Sequence, residues 1–307
     1  MENRYRIPPR IVAVHDLSCF GRCALTVVIP TLSVMGYQVV PLPTAFLSTH
    51  TGGFDDLHFR DLTDDMHKTA AHFSRLGLSF DSIYTGFLGS EAQIDFVEDF
   101  FEAFAKEDAK GSRPLILVDP VMGDDGVLYS TYTKELMLGM KRLSRHASVL
   151  TPNWTEACFL TDTPFCDLSA LAPCEALALA ADVLTRLEQD FGCDRIVITG
   201  IFLSDGRLAN LGRDTDGTRF CVERPLLAHS YPGTGDIFAS VLLGELLDGK
   251  SFEASCAAAA DFITLLITTS SSLPTPVREG VALEGELWRL CSPSKGNSDL
   301  TRKEERI

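Results

Sequence analysis

The sequence predicts a single α/β domain, a three-layer sandwich in which helices cover both faces of a mostly parallel sheet. Three observations point there. Short continuous apolar runs recur along the chain, each followed by a stretch of helical periodicity; strands of that kind are buried on both faces and joined by crossover helices. The residues just after these runs are polar and glycine-rich, among them His15-Asp16, Pro43-Thr44, Thr85-Gly86, Asp119-Pro120 and Thr199-Gly200, as suits strand ends that line a ligand crevice. With 45% hydrophobic residues in 307, the chain can also bury a full core.

In chain order, the first strand is expected over 10–15, followed by a helix over 24–35 and a strand over 38–42. Pro30 should kink that helix or delay its start, because it lacks an N–H and clashes with the preceding turn. Further strands are expected over 81–85, 115–119, 149–151 and 195–199, and helices over 62–76, 91–109, 133–144 and 174–191. The runs 206–211 and 218–222 flank Arg213-Asp214-Thr215-Asp216-Gly217 and read as an antiparallel hairpin at one sheet edge. The last third reads as helical over 235–247, 252–268 and 284–290. No interior linker or repeat interrupts this order, so one domain is expected over 1–291. The polar, charged stretch 292–307 is expected to be a loose tail.

Composition removes several function classes. The 27 basic and 42 acidic residues leave a net charge of −15, a poor surface for a nucleic-acid backbone. A small phosphate ligand remains open, since helix N-termini and metal ions bind it without net positive charge. Residues 1–10 have no signal-peptide character, and the most apolar stretch, 257–268, is short and carries Asp261. No membrane span is therefore expected. The nine cysteines are odd in number and form no Cys-x-x-Cys pair. They read as reduced thiols of a cytoplasmic protein, and Cys19 and Cys23 lack partners at zinc-site spacing.

Three motifs carry chemistry. Pro232-Gly233-Thr234-Gly235-Asp236 runs directly into an apolar helix. Its glycines let backbone N–H groups approach a ligand, and the helix dipole favours an anion such as a transferring phosphoryl group. Asp236 could then accept the proton of an attacking hydroxyl. Alone, the motif reads equally well as a glycine turn before a dipole-complementing acid. Asp119 ends an apolar strand in Leu117-Val118-Asp119-Pro120-Val121-Met122-Gly123-Asp124, where it could hold a metal ion near phosphates or simply cap a turn. Glu156, in Thr151-Pro152-Asn153-Trp154-Thr155-Glu156, could do likewise or cap its own helix. Asn153-Trp154-Thr155 also matches the glycosylation sequon, by chance in a thiol-rich chain without a leader.

Taken in order, these motifs resemble the pyridoxal kinases of the ribokinase-like superfamily. Gly21, the apolar run to Gly36, and Thr44-x-x-x-Ser48-Thr49-His50-Thr51-Gly52 are similar to that family's substrate loop, and Thr85-Gly86-Phe87-Leu88-Gly89 to its next strand end. The resemblance covers about residues 10–266. It implies a ribokinase-like fold and transfer of the ATP γ-phosphoryl to the 5′-hydroxymethyl group of a B6 vitamer. Asp236 would be the base, with the amides from Gly233 through Thr234 and Gly235 to Asp236 receiving the phosphoryl group. Asp119 and Glu156 would place Mg²⁺, largely through water, with Asn153 near the phosphates. Thr199 would end the strand before an ATP-covering hairpin and loop at about 203–229. Asp16, Ser18, Cys23, Thr44, His50 and Phe87 would form the vitamer pocket. The resemblance further implies a homodimer and a monovalent cation such as K⁺; the sequence itself carries no signal for either.

The departures fall in that pocket. Asp16 stands where such kinases tend to have serine, Phe87 where they have tyrosine and Cys23 where they have valine; Ser48-Thr49-His50 replaces Ser-Asn-His. Asp16 also suits a hydroxymethylpyrimidine kinase of thiamine synthesis, although that branch usually has cysteine where Asp236 stands. A sugar kinase lacks support, and a catalytically silent nucleotide- or vitamer-binding protein would be expected to have lost Asp236, Asp119 or Glu156. Residues 244–251 satisfy the P-loop spacing, but an apolar helix rather than a buried strand precedes Gly249-Lys250-Ser251. The expected reading there is a glycine helix stop followed by a serine cap.

Overall fold

The computed structural model describes residues 7–107 and 111–291. β1 (Arg10–Phe20), α1 (Leu25–Val34) and β2 (Gln38–Thr49) form the first crossover unit. There follow β3 (Phe59–Asp61), α2 (Thr63–Arg75), β4 (Ser82–Thr85), α3 (Glu91–Phe104) and β5 (Leu115–Val118). A two-residue hairpin, β6 (Gly123–Asp124) and β7 (Val127–Leu128), precedes α4 (Lys134–Ser144), β8 (Val149–Leu150), α5 (Trp154–Leu160) and α6 (Pro173–Phe191). The chain closes with β9 (Arg195–Phe202), β10 (Arg207–Arg213), β11 (Arg219–Pro225), α7 (Thr234–Leu247) and α8 (Phe252–Ser271).

Nine strands share one sheet in the order β11-β10-β9-β8-β5-β4-β1-β2-β3. The six from β9 to β2 pair in parallel, whereas β10, β11 and β3 run antiparallel at the edges. Odd residues of β1, such as Ile11 and Ala13, pack with α1, α7 and α8; even residues, Val12 and Val14, pack with α2 to α6. That alternation in a strand buried on both sides is what makes three layers. After β2 and β3 the chain returns to the other side of β1 to lay down β4. The reversal opens a crevice beyond the carboxyl ends of β1 and β4, where ligands of open α/β sheets bind.

Several expectations need correction. α1 begins at Leu25 and runs through Pro30; burial of Leu25, Val27, Val28 and Leu32 outweighs the one forgone hydrogen bond. β1 and β2 extend well past their apolar cores, since they stay paired out to Phe20 and Thr49, with a register shift between His15 and Leu17. The substrate-loop residues 44–49 thus belong to a strand. β3, β6 and β7 carry too few residues to leave a periodic signal. α3 stops at Phe104 rather than 109, and 284–290 yields only a single 3₁₀ turn, Leu287–Leu290. α8 is longer than the 257–268 stretch suggested and could by length and composition cross a membrane. Instead Phe252, Cys256, Phe262 and Leu266 are buried with α7 in the core. The expected tail, 292–307, lies outside the described residues.

The P-loop decoy resolves as expected. α7 continues to Leu247, Gly249 takes φ 87° just past it, and the Ser251 hydroxyl accepts the Ala254 N–H at the start of α8. Lys250 pairs with Glu245 on the surface.

Candidate active site

The site is built around the first turn of α7. Gly233 precedes it at φ 80°, and a Cβ there would lie 2.0 Å from the Arg22 carbonyl oxygen, so glycine is required twice over. The first amides of the helix have no intrahelical acceptor and face outward as an anion site. Thr234 donates its hydroxyl to the Tyr231 carbonyl, and Gly235 is exposed. Asp236 projects from this turn with 14% of its side chain exposed. Its Oδ2 accepts the Ala24 N–H at 2.7 Å. Ala24 is held at φ 49°, ψ −137°, strain that aims this amide at the carboxylate.

Four acidic side chains gather with few compensating partners. Desolvation raises Asp236 to about 7, helped by the Asp16 charge and opposed by the Ala24 amide. Asp16, at the end of β1, is raised to about 6 by burial, against the pull of the Ser18 hydroxyl that donates to it at 2.7 Å. Asp119, just past β5, is raised to about 8 by burial and then by Asp236. Glu156 is raised by burial and then by Asp119. A carboxylate pushed toward neutrality beside an anion site is suited to taking a proton near pH 7.

A cavity of about 250 Å³, close to the small end of ligand pockets, opens onto Asp236. Leu47, Phe87 and Val121 supply apolar walls, while Asp16, Ser18, His50 and Tyr129 supply polar ones. Cys23 also lines it, and burial beside Asp236 and Asp16 keeps its thiol protonated. His50 lines the cavity with both ring nitrogens engaged: Nε2 bonds the Arg278 carbonyl at 2.6 Å and Nδ1 accepts the Gly52 N–H at 3.1 Å. Those two bonds fix the ring's orientation and tie the 50–52 turn to the Arg278 carbonyl.

Thr44 departs from expectation. It is fully buried beneath the cavity and does not line it; its hydroxyl donates to the Phe87 carbonyl at 3.0 Å. Its effect on the pocket is to hold Phe87. Asn153 and Glu156 close a reciprocal cap on α5: the Asn153 side chain accepts the Glu156 N–H and Glu156 accepts the Asn153 N–H. The other Glu156 oxygen accepts the Met122 N–H, and Asn153 Nδ2 donates to the Gly123 carbonyl. Both side chains thus fasten the 119–124 segment to α5. Thr199 bridges to Asn153 beside the edge hairpin, its N–H donating to the Pro152 carbonyl at 2.8 Å.

Sequence reasoning missed Ala24, Tyr129, Val121 and His15. Only His15 left a trace, as the first polar residue after an apolar run. A larger cavity, about 450 Å³, lies among Arg113, His146 and Arg195 at the opposite ends of the strands, away from every carboxylate of the site.

The residues present fit Mg²⁺ held with phosphates. Among the described residues no three His, Cys, Asp or Glu converge as a metal cage, and Mg²⁺ bound through one or two carboxylates, waters and phosphate needs none. Asp119 is a buried carboxylate with only the Thr151 side chain to offset its desolvation, and the neighbouring strand-end hydroxyl of Thr85 is buried without a hydrogen-bond partner. A hydrated cation would satisfy both.

Comparison with known proteins follows the same line. The family model described as phosphomethylpyrimidine kinase matches residues 29–277. A Bacteroides thetaiotaomicron protein, provisionally designated a phosphomethylpyrimidine kinase and crystallised with pyridoxal, is 39% identical. The match covers 94% of this chain and 97% of that one, with a TM-score of 0.85. The pyridoxal kinase of Lactobacillus plantarum is 30% identical, covering 93% and 97%, with a TM-score of 0.80. A provisionally named pyridoxal kinase of Schizosaccharomyces pombe is 28% identical over 233 residues, 73% of this chain; the match spans 64% of that relative's length.

Proposed function

The chain belongs to the phosphomethylpyrimidine kinase family of the ribokinase-like superfamily, which it shares with pyridoxal kinases, and from that premise we propose that it phosphorylates the 5′-hydroxymethyl group of a B6 vitamer with ATP. The observation that carries this reading is the placement of Asp236. A desolvated carboxylate and the open amides of α7 border one small cavity with an aromatic wall.

The vitamer ring lies against Phe87, Leu47 and Val121, with its hydroxymethyl group toward Asp236. Asp236 takes the hydroxyl proton as the oxygen bonds to the γ-phosphorus and the bond to ADP breaks. The amides of Gly233 to Asp236 receive the charge of the transferring group, already oriented and needing no reorganisation. Asp119 and Glu156 would help hold Mg²⁺, largely through water, and the ion would supply positive charge to the phosphates. Asn153 and Thr199 border the phosphates, and the β10–β11 edge with the loop to His229 covers the nucleotide. K⁺, a homodimer and a cytoplasmic setting belong to the same reading; the nine free cysteines support the last.

A second reading, a hydroxymethylpyrimidine kinase, is favoured by one observation: the buried Asp16 carboxylate in the cavity wall suits an aminopyrimidine as well as an aminomethylpyridine. ADP release measured on pyridoxal, pyridoxamine, pyridoxine and hydroxymethylpyrimidine separates the two. In the same assay Asp236→Asn is expected to fold normally and lose about 10²–10⁴-fold in kcat. Near-normal turnover in that variant overturns the assignment of the base.

A further inference from the structure

We propose that His15 is a positioning residue for Asp236: in the loaded site its neutral imidazole donates Nδ1–H to Oδ1 of the carboxylate. The inference rests on the reading of Asp236 as the base. His15 is fully buried, yet among the described residues neither ring nitrogen has a hydrogen-bond partner. Buried polar atoms left unpaired are costly and rare, and a side chain that keeps two of them calls for a reason.

The fold makes room for this ring and aims it. The register shift between His15 and Leu17, opposite Pro43 and Phe46, puts the extra residue in β2 beside the end of β1, and bulges are frequent next to active sites. Gly86 leaves the space it fills, since a Cβ there would lie 1.6 Å from His15 Cε1. Tyr84 packs edge-on against it at 4.7 Å between centroids. The result sets Nδ1 3.9 Å from Asp236 Oδ1, about 1 Å beyond a hydrogen bond. Catalytic contacts of this kind tighten when substrate fills the site. The Ala24 N–H already holds Oδ2. With both oxygens gripped, the plane of the carboxylate is fixed, and each oxygen keeps a second lone pair for the hydroxyl.

The groups facing Asp236 are Asp16 on β1, Asp119 after β5, Tyr84 on β4, Cys23 before α1 and Tyr129 after β7. None is a cation; Tyr84 turns its hydroxyl to the Asp236 backbone carbonyl at 3.4 Å, and among the described residues the ring nitrogen set beside Oδ1 is that of His15. Burial holds His15 at about 3, so near neutral pH the ring is uncharged, with one N–H to donate. The vitamer proton passes to Asp236 and stays there until it leaves through the cavity, while His15 keeps its own proton throughout.

The test uses His15→Leu, which keeps an apolar volume without a donor, and His15→Gln, which keeps a donor. His15→Leu is expected to lower kcat about 10- to 100-fold, the worth of one charge-assisted hydrogen bond, with both KM values within about twofold. Its acid limb of kcat/KM should move up by about one pH unit. His15→Gln should recover most of the loss and return the limb. An unchanged kcat and limb in folded His15→Leu, or equal losses in both variants with the limb unmoved, overturns the proposal. If neither variant folds, ¹⁵N shifts of the wild-type ring decide: a neutral ring protonated at Nδ1 supports it, and the Nε2–H form or an imidazolium overturns it. Full turnover in Asp236→Asn would overturn the base and this proposal together. An inactive Asp236→Asn beside a normal His15→Leu removes only His15.

Discussion

Raising the pH from 6.5 to 8.5 should destabilise the free protein, the reverse of what paired carboxylates do. Asp119 and Asp236 are held at about 8 and about 7 in the fold, above their ordinary value of 3.8. The folded state therefore keeps protons that the unfolded chain has already released, and stability falls as pH rises through those values. His15 works the other way, because its folded value of about 3 lies under its ordinary 6.5; above pH 6.5 only the tail of its titration is left, which offsets the drop by about 0.4 kcal/mol. Asp119 titrates across about 1.5 units of the window, worth about 2 kcal/mol, and Asp236 adds somewhat less than 1 kcal/mol. At about 2 °C per kcal/mol for a chain of this size, Tm should drop by about 5 °C. Differential scanning calorimetry of the ligand-free protein in matched buffers measures it. Asp119→Asn cannot ionise, so it should flatten the slope and raise Tm at pH 8.5. A Tm that holds or rises across the window, or an Asp119→Asn slope equal to wild type, would refute the buried-carboxylate account.

Lys250→Ala should leave kcat and the ATP KM unchanged, since Lys250 pairs with Glu245 beyond the end of α7; steady-state kinetics with an intact Tm checks this. Gly233→Ala should lower Tm and kcat together, because the added Cβ meets the Arg22 carbonyl at a backbone angle that itself costs about 1–3 kcal/mol. Asp16→Ser should reorder the vitamers. An ionised Asp16 favours the aminomethyl cation of pyridoxamine over the aldehyde of pyridoxal by about tenfold or more in kcat/KM. That preference should grow as pH rises through about 6, where Asp16 ionises. An unchanged ranking in the variant removes Asp16 from specificity.

The layers and the strand ends were legible because burial on both faces leaves continuous apolar runs, as at 10–15 and 195–199, and because glycine at 233 marks a turn that no other residue tolerates. Asp16, Asp119, Asn153, Glu156 and Asp236 were readable as residues that follow such runs. What they bond to was not. Glu156 spends both oxygens on the Asn153 and Met122 amides, and Thr44 spends its hydroxyl beneath the cavity. Those commitments depend on which strands become neighbours, and β4 returns to β1 only after a detour through β2 and β3. Tyr129 reaches the cavity by way of a hairpin too short to carry a period. His15 was legible as a position but not as an orphan, since only packing reveals that its nitrogens have no partner.

α7 is buried from Ile237 through Gly244 on every side, and this has a consequence for how such a chain can diverge. The end proposed to handle the phosphoryl group is anchored in a helix buried from Ile237 to Gly244, so substitutions along that stretch disturb the fold itself. The residues proposed to recognise the ring sit just past β4 and along and after the end of β1, at the cavity wall rather than in the helix. On the proposed function, descent could swap one heterocycle for another while inheriting the transfer chemistry unaltered, and the ring a lineage accepts would be recorded at positions 16, 23 and 87 rather than in the turn before α7.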